Sequence, residues 1–291
     1  MDKYNTISAF NKWLLPICLE KCSNSSKKAL SSFDAYRKKL DFKALLSLLL
    51  YAINEEKESL RDLSAALTHC PLQQEIGIES ISHSQLSRSL TALDPLILEE
   101  IFQQLLQTAH EKTKPTKRNS LYLIDSSTFS LSLKRHQWAS FRKTKAGVKL
   151  HLTLCFMDEE TMYPSDFTLT NAKEHDVNQL KTLVNQAEAT YVFDRGYLDF
   201  ERMDQMHQEG YFFVTRIKKN TKYHVFESFE TPADQKTLIL SDQHVALGAK
   251  TSLTSRFRLV TIEDEKGKFL QFITNRFDLS AEEVAQAYKS R

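Results

Sequence analysis

The chain has 291 residues, of which 41% are hydrophobic and 26% are charged, and its formal net charge at pH 7 is +2. This length accommodates two domains or one large elaborated domain, and the composition is typical of a soluble globular protein. The six glycines are too few for a glycine-rich nucleotide-binding loop, and the longest apolar stretch, residues 44–53, is far shorter than the roughly 20 residues that span a bilayer.

The first residues and the cysteines favour a cytoplasmic protein that does not enter a membrane. The N-terminus, MDKYNTISAF, lacks a basic segment followed by an apolar one, so we expect no secretory signal. The cysteines show no paired spacing of the zinc-binding kind, and we interpret them as free thiols: Cys18, Cys22, Cys70 and Cys155.

Residues 1–111 carry the signals of an all-α N-terminal domain. Asp41 is placed to cap a helix over 42–53, apolar residues recur at helical spacing over 58–67, and Pro95 opens a further helix. A short helix is predicted over 82–90, with Ser82 or Ser84 as its cap, and its exposed side chains suit the reading of base edges: His83, Gln85 and Arg88.

These helices suggest a helix-turn-helix, but one feature argues against it. The connection from Leu67 to Ser82 is longer than the three or four residues that this motif uses. A DNA-binding domain and a plain helical bundle therefore both remain open for this part of the chain.

Basic residues are concentrated in three segments. Residues 112–119 form a basic linker, residues 134–149 place cations around Trp138 and Phe141, and the third segment contains Arg216, Lys218, Lys219 and Lys222. Because cations bind phosphates and aromatic rings stack on exposed bases, the segments favour a nucleic-acid partner over an ordinary solvated face. From the second segment we select three DNA-binding candidates: Arg142, Lys143 and Lys145.

After the linker the pattern changes to strands. The apolar run 121–124 predicts a strand buried on both faces, which Asp125 ends. An aspartate followed by serines often only closes a strand by accepting backbone N–H groups. Residues 147–157 alternate, with one side formed by Val148, Leu150, Leu152 and Leu154, and residues 166–170 form another strand.

A helix is predicted over 176–187, with Asp176 as its cap. We prefer this capping role to a metal-binding His175–Asp176 pair, because no second histidine pair accompanies it. Lys149 and His151 lie on the strand expected beside Asp125. The sequence is equally compatible with a role in the site at Asp125 and with a role in packing at the edge of the sheet.

A second short apolar run, residues 191–193, also ends in an aspartate, Asp194, and Gly196 permits a sharp turn after it. Two carboxylates held side by side repel each other unless a cation lies between them. Oxygen ligands favour Mg²⁺ or Mn²⁺, and a pair of such ions about 3.5–4 Å apart activates a nucleophile and stabilises the leaving oxygen of a phosphodiester. Asp125 and Asp194 are therefore the predicted catalytic and metal-binding residues.

Four segments resemble the DDE-type transposases of insertion sequences, in the IS-four-like group whose terminal motif is Tyr-x2-Arg-x3-Glu-x6-Lys. They are YLIDSSTF, WASFRKTKAGVKLH, FDRGY and TNRFDLSAEEVAQAYKSR, and the resemblance covers residues 120–291. It implies an α/β, ribonuclease-H-like fold with a core over 120–215, a β-rich insertion over 216–275 and the start of a C-terminal core helix over 276–291.

The resemblance also implies a two-metal Mg²⁺ (or Mn²⁺) site at Asp125 and Asp194, and further DNA contacts from Arg195, Arg216, Tyr288 and Arg291. Tyr288 and Arg291 match the Tyr and Arg of the terminal motif, although Tyr288 also fits the core-facing stripe of an amphipathic helix. The implied partners are the double-stranded terminal repeats of the element and target DNA, bound by a homodimer in the bacterial nucleoid.

The sequence stops at Arg291, before the glutamate that the motif places after its arginine. We therefore expect a truncated chain with little or no transposition activity, since in-line displacement needs both metal ions. Two alternatives are a stand-alone nuclease of the same fold and a non-catalytic DNA-binding inhibitor of a full-length transposase.

Overall fold

The computed structural model describes residues 12–113, 120–158, 160–230, 239–248, 255–264 and 266–291. The chain folds as two compact units, residues 1–112 and residues 113–291. Most of the predicted basic linker, residues 114–119, lies outside the described residues.

Every element described in the first unit is a helix. A 3₁₀ turn (Leu19–Lys21) precedes α1 (Asn24–Asp34), α2 (Phe42–Asn54), α3 (Leu60–Ala66), α4 (Cys70–Ile76), α5 (His83–Ala92) and α6 (Pro95–Thr113). Their apolar faces meet in one core, whose fully buried side chains include Leu45, Leu48, Leu63, Leu67 and Leu86. Among the described residues of the chain, no helix is both long and apolar enough to cross a membrane.

The helix starts follow local capping chemistry. Asp41 accepts the Ala44 N–H and begins α2, as predicted. Ser82 forms a complete capping box with Gln85 and begins α5, which decides between the two predicted serines. The helix expected over 58–67 begins later, at Leu60, because the Ser59 hydroxyl caps it.

An additional helix, α4, occupies the connection between α3 and α5 that the sequence left unassigned. It ends at Gly77, whose φ of 75° is the left-handed conformation that favours glycine. Since a whole helix separates α3 from α5, they are not joined by the short turn of a helix-turn-helix.

The second unit is a mixed α/β unit built on one ten-stranded, mostly antiparallel sheet. The sheet order is β2-β3-β1-β5-β6-β10-β9-β8-β7, with β4 also paired to β3, and among the described strands only the β1–β5 and β5–β6 pairs are parallel. The strands are β1 (Leu121–Leu131), β2 (Ser140–Arg142), β3 (Lys145–Phe156), β4 (Met162–Asn171), β5 (Thr190–Phe193), β6 (Phe212–Arg216), β7 (Tyr223–Ser228), β8 (Ile239–Leu247), β9 (Phe257–Glu263) and β10 (Phe269–Thr274).

Both faces of the central strands are covered, which explains their continuous apolar sequences. On one face Ile124 and Phe193 pack with α7 (Leu180–Leu183) and α8 (Phe200–Gln208). On the other face Leu123 and Val192 pack with α9 (Ala281–Lys289).

Strand β1 does not end at Asp125 as predicted. It continues to Leu131 because β3 stays paired with it along its whole length, including Asp125 with Leu152. The parallel pairing with β5, in contrast, stops at Ile124 and Phe193. Asp125 therefore marks the end of one neighbour rather than the end of its own strand.

The alternation predicted on β3 is present, and the deeply buried side of the strand is formed by His151, Thr153 and Cys155. One further prediction needs correction. The helix predicted over 176–187 is only a 3₁₀ turn (Asp176–Gln179) followed by α7, because the Tyr191 hydroxyl takes the N–H groups of residues 185 and 186.

Candidate active site

Asp125 and Asp194 emerge side by side from neighbouring parallel strands. The last parallel pair is Ile124 with Phe193, and each of these residues is followed directly by its aspartate. The side chains are 65% and 43% exposed, so neither carboxylate is buried. The strand pairing alone thus brings the two carboxylates to the same end of the sheet.

Asp194 is held by the turn that follows it. Its Oδ1 accepts the Gly196 N–H at 2.7 Å, which makes Asp194 the cap of a 3₁₀ turn over Arg195–Tyr197. Gly196 is needed here for space rather than for a positive φ. A Cβ on it would lie 2.9 Å from Asp194 Oδ1 and 3.1 Å from Asp176 Oδ2.

Arg291 supplies a cation between the two aspartates. Its Nη2 lies 2.9 Å from Asp125 Oδ1 and 4.0 Å from Asp194 Oδ2. The two carboxylate oxygens are therefore no further apart than the sum of these distances, which two divalent ions about 3.5–4 Å apart can bridge. Burial opposes the charge of Arg291, but the hydrogen bond and charge of Asp125 outweigh it and raise the pKa of the guanidinium.

The donor chemistry of this pair fits a hard divalent cation. Mg²⁺ is commonly held by one or two carboxylates together with water and substrate phosphate oxygens. The guanidinium contact with both carboxylates shows directly that their surroundings accept positive charge. No group of three or more His, Cys, Asp or Glu side chains in the described parts of the chain is arranged to hold a metal ion, so the fit concerns two carboxylates only.

Asp176 lies beside the residues that adjoin the two aspartates, a position that the sequence did not predict. It does not cap a helix; its Oδ1 accepts the Lys149 ammonium at 2.9 Å and the Ser126 hydroxyl at 3.2 Å. Ser126 follows Asp125 directly, and Asp176 Oδ2 faces the backbone of Gly196 beside Asp194. The sequence singled out this position as part of the His175–Asp176 pair. The contacts that Asp176 makes could not be read from it, because they depend on how β1 and β3 pair.

His151 lies beneath this network and has a packing role. Its ring is fully buried, with Nδ1 at 3.1 Å from the Tyr197 hydroxyl and Nε2 at 3.0 Å from the Thr170 hydroxyl. Burial lowers the pKa of His151, although the charge of Asp176 at 3.7 Å opposes this effect. Burial likewise raises the pKa of the Tyr197 hydroxyl.

The three basic candidates of the second segment form a hairpin away from the aspartates. Arg142 pairs with Lys145 across the β2–β3 turn, and Lys143 lies in that turn. All three are exposed, as are the nearby rings of Phe129 and Trp138. Lys145 is seven residues before Leu152, the partner of Asp125, so the hairpin lies about 20 Å along β3 from the carboxylates.

The other basic candidates lie around the carboxylates. Arg195 is exposed directly after Asp194. Arg216 ends β6, whose Thr215 pairs with Phe193, and its buried Nε has no hydrogen-bond partner among the residues that the structure describes. Its guanidinium lies 5.9 Å from the centre of the Tyr288 ring, which itself packs on Phe272 at 5.0 Å. Tyr288 therefore has the predicted packing contact, and α9 brings Arg216, Tyr288 and Arg291 to one end of the sheet.

A cavity of about 890 Å³ lies at the opposite end of the same strands, beside Leu121 and Thr190. Neither aspartate lines it. The two candidate carboxylates are instead accessible to solvent at the other end of these strands, with exposed fractions of 65% and 43%.

Comparisons with known proteins show which family the chain resembles. Residues 116–291, more than half of the chain, match the family described as "Transposase DDE domain". The chain is 28% identical over 218 residues to the "Probable transposase for insertion sequence element IS5377" of Geobacillus stearothermophilus, which covers 74% of this chain and 57% of that relative. It is 27% identical over 199 residues to the "Putative transposase y4zB" of Sinorhizobium fredii (strain NBRC 101917 / NGR234), which covers 67% of this chain and 55% of that relative.

The chain thus spans just over half the length of the curated relatives it matches. The family match includes both strands that carry the aspartates and the helix that carries Tyr288. The chain therefore belongs to the family of proteins that contain the transposase DDE domain.

Proposed function

We propose that this chain acts in DNA transposition, as a transposase that binds insertion-sequence ends and carries out metal-dependent DNA cleavage and strand transfer. The observation that carries the proposal is the placement of Asp125 and Asp194 at the same end of two parallel strands, with one cation between them. The name of one relative mentions an insertion sequence element, which supports the DNA of such an element as the substrate.

The fold proposal is a ribonuclease-H-like core. The partial order β4-β3-β1-β5-β6, antiparallel up to β1 and parallel after it, supports this assignment. Strands β7 to β10 are then the β-rich insertion, joined to the core sheet through the β6–β10 pair. The helical first unit is the proposed all-α N-terminal domain.

We assign the chain to the Tyr-Arg-Glu-Lys group on the placement of Tyr288 and Arg291. These residues lie on α9 and just beyond it, and both reach the end of the sheet that carries the aspartates. A guanidinium binds phosphate oxygens in two parallel hydrogen bonds, so Arg291 can exchange the Asp125 carboxylate for a DNA phosphate.

In the proposed mechanism Asp125 and Asp194 would hold Mg²⁺ or Mn²⁺. Two such metal ions, when bound, would activate the nucleophile and stabilise the leaving oxygen. The turn at Gly196 fixes Asp194, while the exposed Arg195 and the partly buried Arg216 stand on either side to orient the DNA backbone. The hairpin of Arg142, Lys143 and Lys145 binds the flanking duplex.

The proposed partners are the terminal repeats of the element and a target duplex. We propose that a homodimer bound to DNA holds them together. Strand transfer by these 291 residues alone is expected to be weak, because the described residues bring together two carboxylates and no third His, Cys, Asp or Glu ligand for a metal ion. Metal binding is therefore the better primary measurement.

The test is Mn²⁺ binding to the DNA-free chain, measured by titration calorimetry. Asp125→Asn and Asp194→Asn should each weaken Mn²⁺ binding at least about tenfold, because each removes a charged ligand. Duplex affinity should be no weaker in either variant, since each removes a negative charge. Glu227→Gln, an exposed carboxylate on β7, is the matched control.

Mn²⁺ binding that survives in both aspartate variants would refute the metal site. A second measurement is divalent-dependent nicking of supercoiled DNA. Nicking that persists in the Asp125→Asn, Asp194→Asn double variant would assign the cleavage to other residues.

A further inference from the structure

The helical unit contains a basic cavity that the candidate active site does not use. It has a volume of about 450 Å³ and lies between the α1–α2 connection and α5. None of the described residues that line it is acidic, and its polar lining includes Tyr36, Arg37, Lys38, Lys39, Arg88 and Ser89. Four cations around one cavity without a carboxylate make a site for a polyanion.

Arg37 is fixed in this cavity before any ligand arrives. Its Nε donates to the Phe33 carbonyl, its Nη1 donates to the Ser89 hydroxyl at 2.6 Å, and its guanidinium carbon lies 3.9 Å from the centre of the Phe33 ring. These contacts leave Nη2 for a ligand. A guanidinium held in this way loses little conformational entropy when it binds a phosphate.

Tyr36 is an exposed aromatic residue in the turn that joins α1 to α2. Its φ is 63°, as the third position of a type II turn requires. Ala35 before it has φ −56° and ψ 127°, and the Arg37 N–H donates to the Asp34 carbonyl at 3.1 Å. Because its ring is fully exposed beside the cavity, Tyr36 is available to a ligand bound there.

The α5 side of the cavity is suited to phosphate rather than to base edges. The Gln85 amide oxygen is occupied by the capping box, at 3.3 Å from the Ser82 nitrogen and 3.2 Å from the Ser82 hydroxyl. Arg88, one turn further along the same helix, is exposed beside the cavity. Gln85, one of the three side chains first considered for reading base edges, is therefore unsuited to that role because its amide oxygen is used for capping.

We propose that this cavity is a second DNA contact, at which Arg37 and Arg88 bind successive phosphates of a duplex and Tyr36 packs against the adjoining sugar. Lys38 and Lys39 add charge at the rim. The inference rests on the proposed function only in taking DNA as the partner. It assigns a sequence-independent role to the helical unit, since phosphate contacts position a duplex without reading its sequence.

The experiment measures binding of the full chain to a short duplex of arbitrary sequence across a series of salt concentrations. Lys38→Gln with Lys39→Gln, and separately Arg88→Gln, should weaken binding and make its salt dependence shallower, by about 0.9 in the log–log slope for each phosphate that the variant no longer binds. The matched control is Lys27→Gln with Lys28→Gln, two exposed lysines on α1 that do not line the cavity. Site and control variants with the same slope would overturn the proposal.

Tyr36→Asn separates binding from folding, because asparagine tolerates a positive φ. The variant should melt at the same temperature as the wild type or higher, and yet bind the duplex more weakly. Unchanged duplex affinity in Tyr36→Asn would contradict the assigned role of the ring. If the lysine variants alter binding of inorganic phosphate but not of the duplex, the cavity is a free-anion site and the proposal is wrong.

These outcomes are independent of the metal site. Loss of Mn²⁺ binding in Asp125→Asn tests the proposed function and leaves the cavity untouched. Conversely, the cavity variants should bind Mn²⁺ like the wild type, so failure of one proposal is distinguishable from failure of the other.

Discussion

Asp125 and Asp194 are the same residue at equivalent positions of neighbouring strands, but their carboxylates have different partners. Asp194 is satisfied locally, by the N–H of Gly196. Asp125 is satisfied by Arg291, 166 residues away along the chain. One carboxylate is therefore fixed by its own turn, whereas the other is available as soon as the arginine moves.

We expect Arg291 to compete with divalent metal in the DNA-free protein. Arg291→Gln should increase Mn²⁺ affinity by up to about fivefold, since an exposed ion pair is worth about 0.2–1 kcal/mol. The same variant should weaken duplex binding, because it removes a phosphate ligand. Reduced Mn²⁺ affinity in calorimetry would show instead that Arg291 supports the carboxylates.

His151 should make the stability of the protein depend on pH. Its folded pKa is lowered by burial below the usual value of 6.5, with Asp176, Lys149 and Glu174 as the nearby charges. Below about pH 6.5 the unfolded chain binds a proton that the folded chain does not, so stability is full above this pH and is lost as the pH falls, by at most about 1.4 kcal/mol per pH unit.

The measurement is chemical denaturation across this pH range for the wild type and His151→Gln. The variant is expected to be less stable at every pH, since it loses buried contacts, but its stability should fall less steeply in acid. Parallel curves for the two proteins would assign the acid sensitivity to other groups.

The placement of the two aspartates could be predicted from sequence because each follows a short apolar run, which is typical of a buried strand. The contacts of Asp176 with Lys149 and of Arg291 with Asp125 could not. Asp176 acquires its meaning only when β3 places Lys149 beside it, and Arg291 only when α9 packs on the sheet. Both depend on pairing between distant segments.

At the scale of elements, one buried ion pair contacts the segment that precedes α9. Arg258 on β9 binds Asp242 on β8 through two hydrogen bonds of 2.9 and 2.6 Å, and also donates to the carbonyls of residues 276 and 279, just before α9. Both side chains are buried. The pair thus joins the outer strands to the segment that leads to Tyr288 and Arg291.

Asp242→Ala should lower the free energy of unfolding by about 3–5 kcal/mol, because it leaves the Arg258 charge buried without a partner. The comparison is Glu209→Ala, which breaks the half-exposed pair with Arg202 and should cost at most about 1 kcal/mol. Urea denaturation gives both values. Similar costs for the two variants would mean that water reaches Arg258.

Helix starts were predictable because capping depends on a few adjacent residues, as at Asp41 and Ser82. The shortening of the helix after Asp176 was not, because the Tyr191 hydroxyl that takes the freed N–H groups belongs to β5. A local pattern of apolar residues carries no information about a distant side chain that accepts the N–H groups of the helix.

At the scale of the whole molecule, the net charge of +2 gives little general attraction to DNA. Affinity must therefore come from local concentrations of cations. Several strands of the second unit were recognisable from apolar runs or from alternation, but their order was not, since β10 returns to pair with β6 across all of β7, β8 and β9. That order decides which basic residues lie near the carboxylates.

Charge reversal in the hairpin tests whether DNA affinity comes from local clusters of cations. Lys143→Glu with Lys145→Glu should weaken duplex binding strongly and reduce the log–log salt slope by about 2, because the variant no longer binds two of the phosphates. The control is Lys266→Glu with Lys268→Glu, two exposed lysines in the β9–β10 turn. Equal reductions in affinity for both variants would mean that only total charge matters.

Strand β7 has a practical consequence for such measurements. Among the described strands it is the last in the sheet order, and all six of its residues are exposed, including Val225 and Phe226. An edge strand with unpaired backbone groups is a template for pairing with another molecule. Self-association of the concentrated protein is therefore expected without DNA, and a dimer seen only at high concentration does not demonstrate two subunits bridging element ends.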